Sequence, residues 1–179
     1  MAFPAGVDQF VVFLLSALLL LGLPGAAGAQ PGVDLAQSWK ADRVLLIKSE
    51  RRLYLVRENK VLRSYPVALG RSPIGHKVFE GDGRTPEGLY VLDRKNANSR
   101  FYRSIHISYP SARDIAEASE YGGRPGGLVM IHGQPPDGTN GYHGYRRWDW
   151  TEGCIAVSNA EIDEIWSAID EGTPIEILP

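Results

Sequence analysis

The scarcest chemical group in this chain of 179 residues is the thiol, because Cys154 is its single cysteine. No intrachain disulfide is possible, so the fold cannot depend on one. Basic charge is not in excess, with 19 Lys and Arg against 21 Asp and Glu, which argues against a nucleic-acid-binding protein. A hydrophobic content of 44% and four Trp argue against disorder. These facts leave a small globular protein with one free thiol.

The N-terminal segment lacks basic side chains and carries one apolar run. Residues 1–29 contain no Lys or Arg, and the run 11–23 falls short of the roughly 20 residues that a membrane-spanning helix needs. A small-x-small pattern, Ala27-Gly28-Ala29, follows it. This predicts a signal peptide over 1–29, cleaved after Ala29, and an exported protein, with the periplasm as the expected location. Because the n-region has no positive side chain, an uncleaved membrane anchor is the alternative.

The rest of the chain is long enough for one domain and leaves little room for a second. The polar stretch 30–43 is predicted to be an N-terminal linker, and 44–178 a single folded domain. No apolar run after residue 30 is long enough to cross a membrane. Membrane contact is therefore expected only through the signal peptide.

Short β-rich runs dominate the predicted domain, separated by polar links at hairpin spacing. They predict a mainly antiparallel β fold, with strands near 44–47, 53–56, 61–69, 88–92, 105–109, 127–131 and 175–178.

Two helices are predicted to interrupt the strands. Ser111 with Asp114 resembles a capping box at the start of the first helix. Ser158 with Glu161 repeats the pattern before an apolar stripe at helical spacing, which is expected to pack on the sheet.

Two long loops interrupt this alternation. One, 70–88, is rich in Gly and Pro and is expected to form tight turns. The other, 133–153, has no periodic pattern, and loops of that length inside a compact domain are usually functional. The second loop is predicted to be a lid or a substrate-binding segment over the site.

A histidine and the single cysteine form the candidate catalytic pair. His132 ends an apolar strand, and Cys154 follows 22 residues later. If the intervening loop folds back, the imidazole can take the thiol proton, and a neighbouring imidazolium can lower the thiol pKa. Gly153 leaves the backbone open to an approaching carbonyl. The N–H of Cys154, with that of Gly153 or Glu152, is the predicted oxyanion hole.

Two motifs resemble those of a known family. The first combines His132-Gly133, the spacing of 22, and Thr-Glu-Gly-Cys-Ile at 151–155. The second is Thr-Pro-Glu-Gly-Leu-Tyr at 85–90. Together they resemble the catalytic signature of the L,D-transpeptidases, the YkuD domain, over roughly 44–178. Glu152 before the Gly-Cys pair and Ala156 after it differ from many members and look more like the YafK-like subgroup.

The resemblance implies a fold, a reaction and a substrate. The fold would be mainly β with minor α, an antiparallel β-sandwich with two short helices and a long loop over the active site. Cys154 would attack the carbonyl at the L-centre of diaminopimelate in a peptidoglycan stem peptide, releasing D-Ala and leaving a thioester. His132 would act as base and then acid, with the Gly133 carbonyl orienting its ring. An amine from another stem peptide or from a lipoprotein Lys would resolve the thioester, without a cofactor.

Two alternatives remain open at this point. Water could resolve the same thioester, which would make the protein an amidase or L,D-carboxypeptidase that can release a wall-linked lipoprotein. A non-catalytic wall-binding module with an unused thiol is the other.

Several further residues are candidates for substrate binding: His143, Arg146, Arg147 and Tyr109. Arg forks suit stem-peptide carboxylates. Glu152 could accept a diaminopimelate amine or be a solvated carboxylate. No His, Asp or Glu set has the compact spacing of a known metal motif, so no metal is predicted.

Overall fold

The computed structural model of the chain describes residues 39–135 and 148–179. In these residues, strands and helices follow one another as β1 (Arg43–Ile47), β2 (Arg52–Arg57), β3 (Lys60–Pro66), β4 (Gly88–Ser99), β5 (Tyr102–Ile107), α1 (Ala112–Glu120), β6 (Met130–His132), β7 (Ile155–Ala156), α2 (Asn159–Ala168) and β8 (Thr173–Leu178).

The strands of the described residues form one sheet in the order β3-β2-β1-β8-β4-β5-β6-β7. Neighbours are antiparallel except β1 with β8 and β6 with β7, which are parallel. The predicted mainly β fold with two short helices is confirmed, and the expected sandwich takes the form of a single continuous sheet. Hairpin spacing does not reveal the two parallel pairs, because parallel partners come from distant parts of the chain.

The core lies against one face of the sheet, as the alternation of apolar residues requires. Val44 and Leu46 of β1 are fully buried, and so is Ile175 of the neighbouring β8. From α2, Ile162 and Ile165 join the same buried cluster. This packing holds the central strands in place. β6 and β7 follow β5 at one end of the same hydrogen-bonded sheet, so their positions are set as well.

Both helices begin at the predicted capping boxes. Ser111 and Asp114 exchange hydrogen bonds at the start of α1, and Ser158 and Glu161 do so at the start of α2. Each pair satisfies N–H groups that the first helical turn leaves without partners. Neither helix is long and apolar enough to cross a membrane, and no other is found in the described residues.

The largest departures from the predicted strands are at β4 and at β7, which was not predicted, whereas the other strands differ by at most three residues at either end. β4 continues past the predicted end at residue 92 to Ser99, in a bulged ladder with β5. Most of the added residues are exposed and polar, so the apolar alternation stops before the strand does. β7 has two residues, too few for a periodic pattern to predict it, and it begins directly after Cys154.

Candidate active site

His132 is the last residue of β6, which lies between β5 and β7 in the sheet. Its side chain is nearly inaccessible, with a relative exposure of 3%. The imidazole ring packs beside Phe101, at 4.5 Å between ring centroids, and beside Trp150, at 5.8 Å. These two aromatic rings and the strand hold the imidazole in one orientation.

The hydrogen bond of Nδ1 sets the protonation of His132. Nδ1 lies 2.7 Å from the carbonyl oxygen of Gly133. Since a carbonyl only accepts, Nδ1 carries the hydrogen and the lone pair of the neutral ring lies on Nε2. Burial lowers the pKa of His132 to about 4, although the hydrogen bond to Gly133 opposes that shift. The imidazole is therefore neutral at neutral pH and is a base at Nε2.

Gly133 is held in place by the start of α2. The neighbouring Gln134 donates its backbone N–H to Oδ1 of Asn159 at 2.7 Å. A β-carbon at position 133 would lie 2.5 Å from that same oxygen. The glycine of the His-Gly motif therefore permits the close approach of α2, and this approach positions the carbonyl that orients His132.

Cys154 directly precedes β7, whose Ile155 pairs in parallel with Ile131 of β6. This register sets Cys154 level with Met130, so the thiol lies two strand positions from His132 although 22 residues separate them in sequence. The half-buried thiol donates to the Leu128 carbonyl oxygen at 3.6 Å.

The resting pair is an uncharged one. Burial raises the pKa of the Cys154 thiol, and the Met130 N–H and the charge of Lys77 oppose that shift without cancelling it. With His132 also neutral, no imidazolium is present at rest to lower the pKa of the thiol. The chemical reason is that both groups are desolvated, which disfavours both charged forms. A nucleophilic role for Cys154 then requires that loss of the thiol proton accompany the attack of the sulfur.

Leu128 is a residue of the site that the sequence does not reveal. Its backbone is left-handed, with φ of 55°, and its side chain is 69% exposed. This conformation is uncommon for a residue other than Gly, Asn or Asp. Here it points the carbonyl at the thiol and the isobutyl group to the surface beside it.

Two cavities reach the thiol. One of about 530 Å³ is lined by both His132 and Cys154. Another of about 320 Å³ is lined by Cys154 and extends along Glu80. Leu128, Glu152 and Cys154 belong to both cavities. The candidate nucleophile thus lies where the two spaces meet.

Gly153 does not serve as the oxyanion donor that was predicted. Its N–H donates to Oγ1 of Thr151 at 3.1 Å, and the same hydroxyl donates to the Cys154 carbonyl at 2.7 Å. Thr151 is buried, so this arrangement is closed to a substrate oxygen. Within the described parts of the chain the N–H groups of Cys154 and Glu152 have no acceptor, so these two remain the candidate donors of the oxyanion site. Gly153 instead has a conformational role, with φ of 129°.

The 70–88 loop contributes a second set of residues that the sequence does not reveal. Lys77 lines the smaller cavity, is buried, and donates to the Phe79 carbonyl and to Oδ1 of Asp82. Burial alone would raise the pKa of Asp82, but backbone N–H donors and Lys77 together hold it below its usual value. Asp82-Gly83 is a turn signal in the sequence, whereas nothing local predicts that Lys77 is buried.

Tyr109, predicted to bind substrate, is 2% exposed, and its hydroxyl donates to the Pro125 carbonyl at 3.1 Å. This prediction is wrong for a direct contact, because a side chain so placed offers no surface to a substrate. Glu152 is exposed at the site and forms an ion pair with Arg71, a partner that was not predicted. The remaining candidates lie outside the described residues, as does the middle of the predicted lid: His143, Arg146 and Arg147.

The other described histidines have carboxylate neighbours away from the Cys154 cavities. His76 lies 3.2 Å from Asp114, and His106 lies 2.7 Å from Asp93. Within 39–135 and 148–179, no three His, Cys, Asp or Glu side chains come together in a way that could hold a metal ion.

The fold and the site together define a class, a β domain in which a buried neutral histidine and a free thiol share a cavity, as thiol-dependent acyl transfer requires. Comparison with protein families then gives the identity. The model of the YkuD L,D-transpeptidase catalytic domain matches residues 41–177. The chain belongs to this family, which confirms the resemblance read from its two motifs.

Individual relatives agree with this assignment. The chain is 30% identical over 132 residues to "Putative L,D-transpeptidase YafK" of Escherichia coli K12, covering 70% of this chain and 46% of the relative. The solved helical cell shape determining protein Pgp2 of Campylobacter jejuni is 28% identical, with a TM-score of 0.55 and coverage of 75% and 46%. Bd1075 of Bdellovibrio bacteriovorus shares the fold, at 22% identity, a TM-score of 0.51 and coverage of 76% and 47%. The chain spans less than half the length of each of these relatives.

Proposed function

We propose that this protein is a cysteine acyltransferase that acts on peptidoglycan stem peptides through a thioester on Cys154. The observation that carries the proposal is that Cys154 lines the same cavity as His132, whose Nδ1 is committed to the Gly133 carbonyl. Nε2 is thereby the one nitrogen of the ring that can take the thiol proton. Membership of the L,D-transpeptidase family supplies the substrate class.

In the first step, the thiol leaves the Leu128 carbonyl and turns toward His132. As Nε2 takes the thiol proton, the sulfur attacks the carbonyl carbon at the L-centre of diaminopimelate and a C–S bond forms. The N–H of Cys154 donates to the oxyanion. When the intermediate collapses, the C–N bond to D-Ala breaks and His132 returns the proton to the leaving amine.

In the second step, an amine attacks the thioester and a C–N bond forms while His132 takes the amine proton. The C–S bond then breaks, and His132 passes the proton to the sulfur, which restores the thiol. A stem-peptide amine gives a cross-link, and a lipoprotein Lys gives a protein-linked wall. Two cavities at the thiol give the acyl donor and the acceptor separate routes to the same atom. Pgp2 is a helical cell shape determining protein, which supports a role of this chain in remodelling the wall.

Hydrolysis is the second candidate, favoured by one observation. Cys154 is half-buried and adjoins a second cavity, so water can reach a thioester there as an amine can. The protein would then be an L,D-carboxypeptidase or an amidase that releases a wall-linked lipoprotein, with the same cysteine and histidine.

Mass spectrometry of purified muropeptides distinguishes these reactions. The protein is incubated with muropeptides, with and without a protein-linked Lys acceptor, and with Cys154→Ala as the control. Loss of D-Ala with a new amide-linked product supports transfer. Loss of D-Ala or of the lipoprotein link without such a product supports hydrolysis. No Cys154-dependent change on either substrate contradicts both and favours a wall-binding module.

We also propose that residues 1–29 direct export and are removed after Ala29, which places the enzyme with its substrate in the periplasm. N-terminal sequencing of the protein from a cell-envelope fraction tests this. A mature N-terminus at Gln30 is expected, and an intact N-terminus in the membrane fraction would show an anchor instead.

A further inference from the structure

We propose that Arg71 and Glu152 form a recognition pair for the zwitterionic end of the acyl donor, binding its carboxylate and its ammonium respectively. The inference rests on the proposed function and specifies how the donor is held. In diaminopimelate the D-centre carries an ammonium and a carboxylate on one carbon, while the L-centre carries the carbonyl that Cys154 attacks. The pair therefore binds the far end of the residue whose near end reacts.

The position of the pair suits this role. Arg71 and Glu152 both line the cavity that contains His132 and Cys154. Glu152 stands two residues before Cys154 and lines the second cavity as well. Among the ion pairs of the described residues, this is the one in which both members line that cavity.

The backbone beneath both side chains is fixed. Arg71 donates its N–H to the Thr151 carbonyl at 2.9 Å, and Thr151 donates to the Leu69 carbonyl at 3.1 Å. These hydrogen bonds place Arg71 beside Glu152. Because both backbones are anchored, the two charges project from neighbouring points on the rim of the site.

Gly83 makes room for the arginine. A β-carbon at position 83 would lie 2.7 Å from Cγ of Arg71. The stem of Arg71 thus rests against a glycine of the neighbouring loop, and this contact directs the guanidinium along the cavity. The direction of the Arg71 side chain is therefore set by packing against the loop. A chance surface ion pair would need no such contact.

The heads of the two side chains remain open to solvent. Arg71 is 59% and Glu152 65% exposed, so their mutual attraction is screened and weak. A zwitterionic ligand offers a carboxylate to Arg71 and an ammonium to Glu152. The ion pair between the two side chains can therefore be replaced by two ion pairs with the ligand, and no charge is left without a partner. Arg forks also match a carboxylate in two hydrogen bonds.

Two further cations line the cavities at Cys154, Lys77 and Arg100, and the guanidinium of Arg100 lies over the ring of Phe101. Lys77 is buried and donates to Asp82 and to the Phe79 carbonyl. Lys77 is therefore not available to bind the donor carboxylate in place of Arg71.

Acylation of the enzyme by the donor alone tests the inference. Intact-protein mass spectrometry follows thioester formation from three tetrapeptide muropeptides: unmodified, with the D-centre carboxylate amidated, and with the D-centre amine acetylated. The mature enzyme should acylate roughly ten-fold or more slowly with either modified donor, since each loses a charge-assisted contact. Arg71→Gln should no longer distinguish the amidated donor, and Glu152→Gln should no longer distinguish the acetylated one.

Charge exchange separates recognition from a merely structural role. Arg71→Glu with Glu152→Arg keeps an ion pair, and it should recover part of the preference for the unmodified donor that each single substitution loses. The matched control exchanges the exposed pair Lys40 and Asp170, neither of which lines a Cys154 cavity, and should leave all three rates unchanged.

Two results would overturn the inference. Equal acylation of the mature enzyme by all three donors would refute it while leaving the proposed function intact. If an amine acceptor is then added and Arg71→Gln and Glu152→Gln slow only its attack on the thioester, the inference is also refuted, because the pair is assigned to the donor. Absence of acylation by every donor would instead overturn the proposed function, and this inference with it.

Discussion

The two sides of the Cys154 site are held together by different forces. On the strand side, which comprises β6, β7 and Cys154, backbone pairing and apolar packing position the reacting groups, and Ile131 and Ile155 are fully buried. On the loop side, which comprises 70–88 and Lys48, charges hold the backbone. Lys48 donates to the carbonyls of Gly75 and Thr85 and to Glu87.

This difference separates two tasks. The reacting groups need a dry and rigid setting, because burial keeps His132 neutral and the thiol protonated until a substrate arrives. The loop side presents polar surface toward the substrate and so cannot depend on an apolar core of its own. Its buried lysines satisfy the carbonyls that turns leave without partners.

The largest expected effect comes from the strand side. His132→Gln removes the proposed base and should slow acylation of Cys154 by roughly 10²–10⁴-fold while the protein remains folded. Alkylation of Cys154 by iodoacetamide near neutral pH should slow as well. His106→Gln, on the adjacent β5, is the matched control, since His106 faces Asp93 and lines neither cavity. Equal loss in both variants would contradict the assignment of His132 as the base.

Disrupting the loop side should lower the free energy of unfolding and leave the reactivity of the Cys154 thiol little changed. Lys48→Met leaves Glu87 and two carbonyls without their buried cation and should lower the free energy of unfolding by roughly 3–5 kcal/mol. Alkylation of Cys154 by a small reagent should be little changed. Lys40→Met, in an exposed ion pair, should cost about 1 kcal/mol or less. A parallel collapse of thiol reactivity in Lys48→Met would show that the two sides are not separate.

The strand side is largely predictable from the sequence, and the loop side is not. His132 ends an apolar run, Cys154 is the single thiol, and capping boxes mark both helices, all of which are local signals. The partners of Lys48 lie 27 to 39 residues away, so its burial has no local signature. A lysine beside a turn reads as a solvated residue unless those distant acceptors are known.

Some details of the strand side also escape the sequence. β7 has two residues and pairs in parallel with a strand that precedes it by more than 20 positions. The oxyanion prediction included the N–H of Gly153, which Thr151 occupies. Competition between a substrate and a neighbouring hydroxyl for one N–H is a matter of three-dimensional contact, which residue spacing does not encode.

The pH dependence of stability should report the dry setting of His132. Folding holds its pKa at about 4, against 6.5 for a solvated histidine. Between these two pH values the unfolded chain binds a proton that the folded protein does not, so the free energy of unfolding falls as the pH falls. A shift of this size corresponds to roughly 3 kcal/mol. Urea unfolding at pH 7.5 and pH 4 should show this loss in the wild type and a smaller one in His132→Gln. Identical losses would place the titrating group elsewhere.

Gly153 joins the two sides, so it offers the finest test of the comparison. A β-carbon there would lie 2.5 Å from the Arg84 carbonyl oxygen of the loop side, whereas at Gly172 nothing lies within 4 Å. Both glycines have positive φ, 129° and 95°, so alanine is strained at either position. Gly153→Ala should therefore lose roughly 1–3 kcal/mol more than Gly172→Ala in urea unfolding, since it adds a collision to the strain. Equal losses would mean that the loop carrying Arg84 shifts at little cost to make room for the added methyl group, so that its contact with the backbone beside Cys154 is not tightly packed.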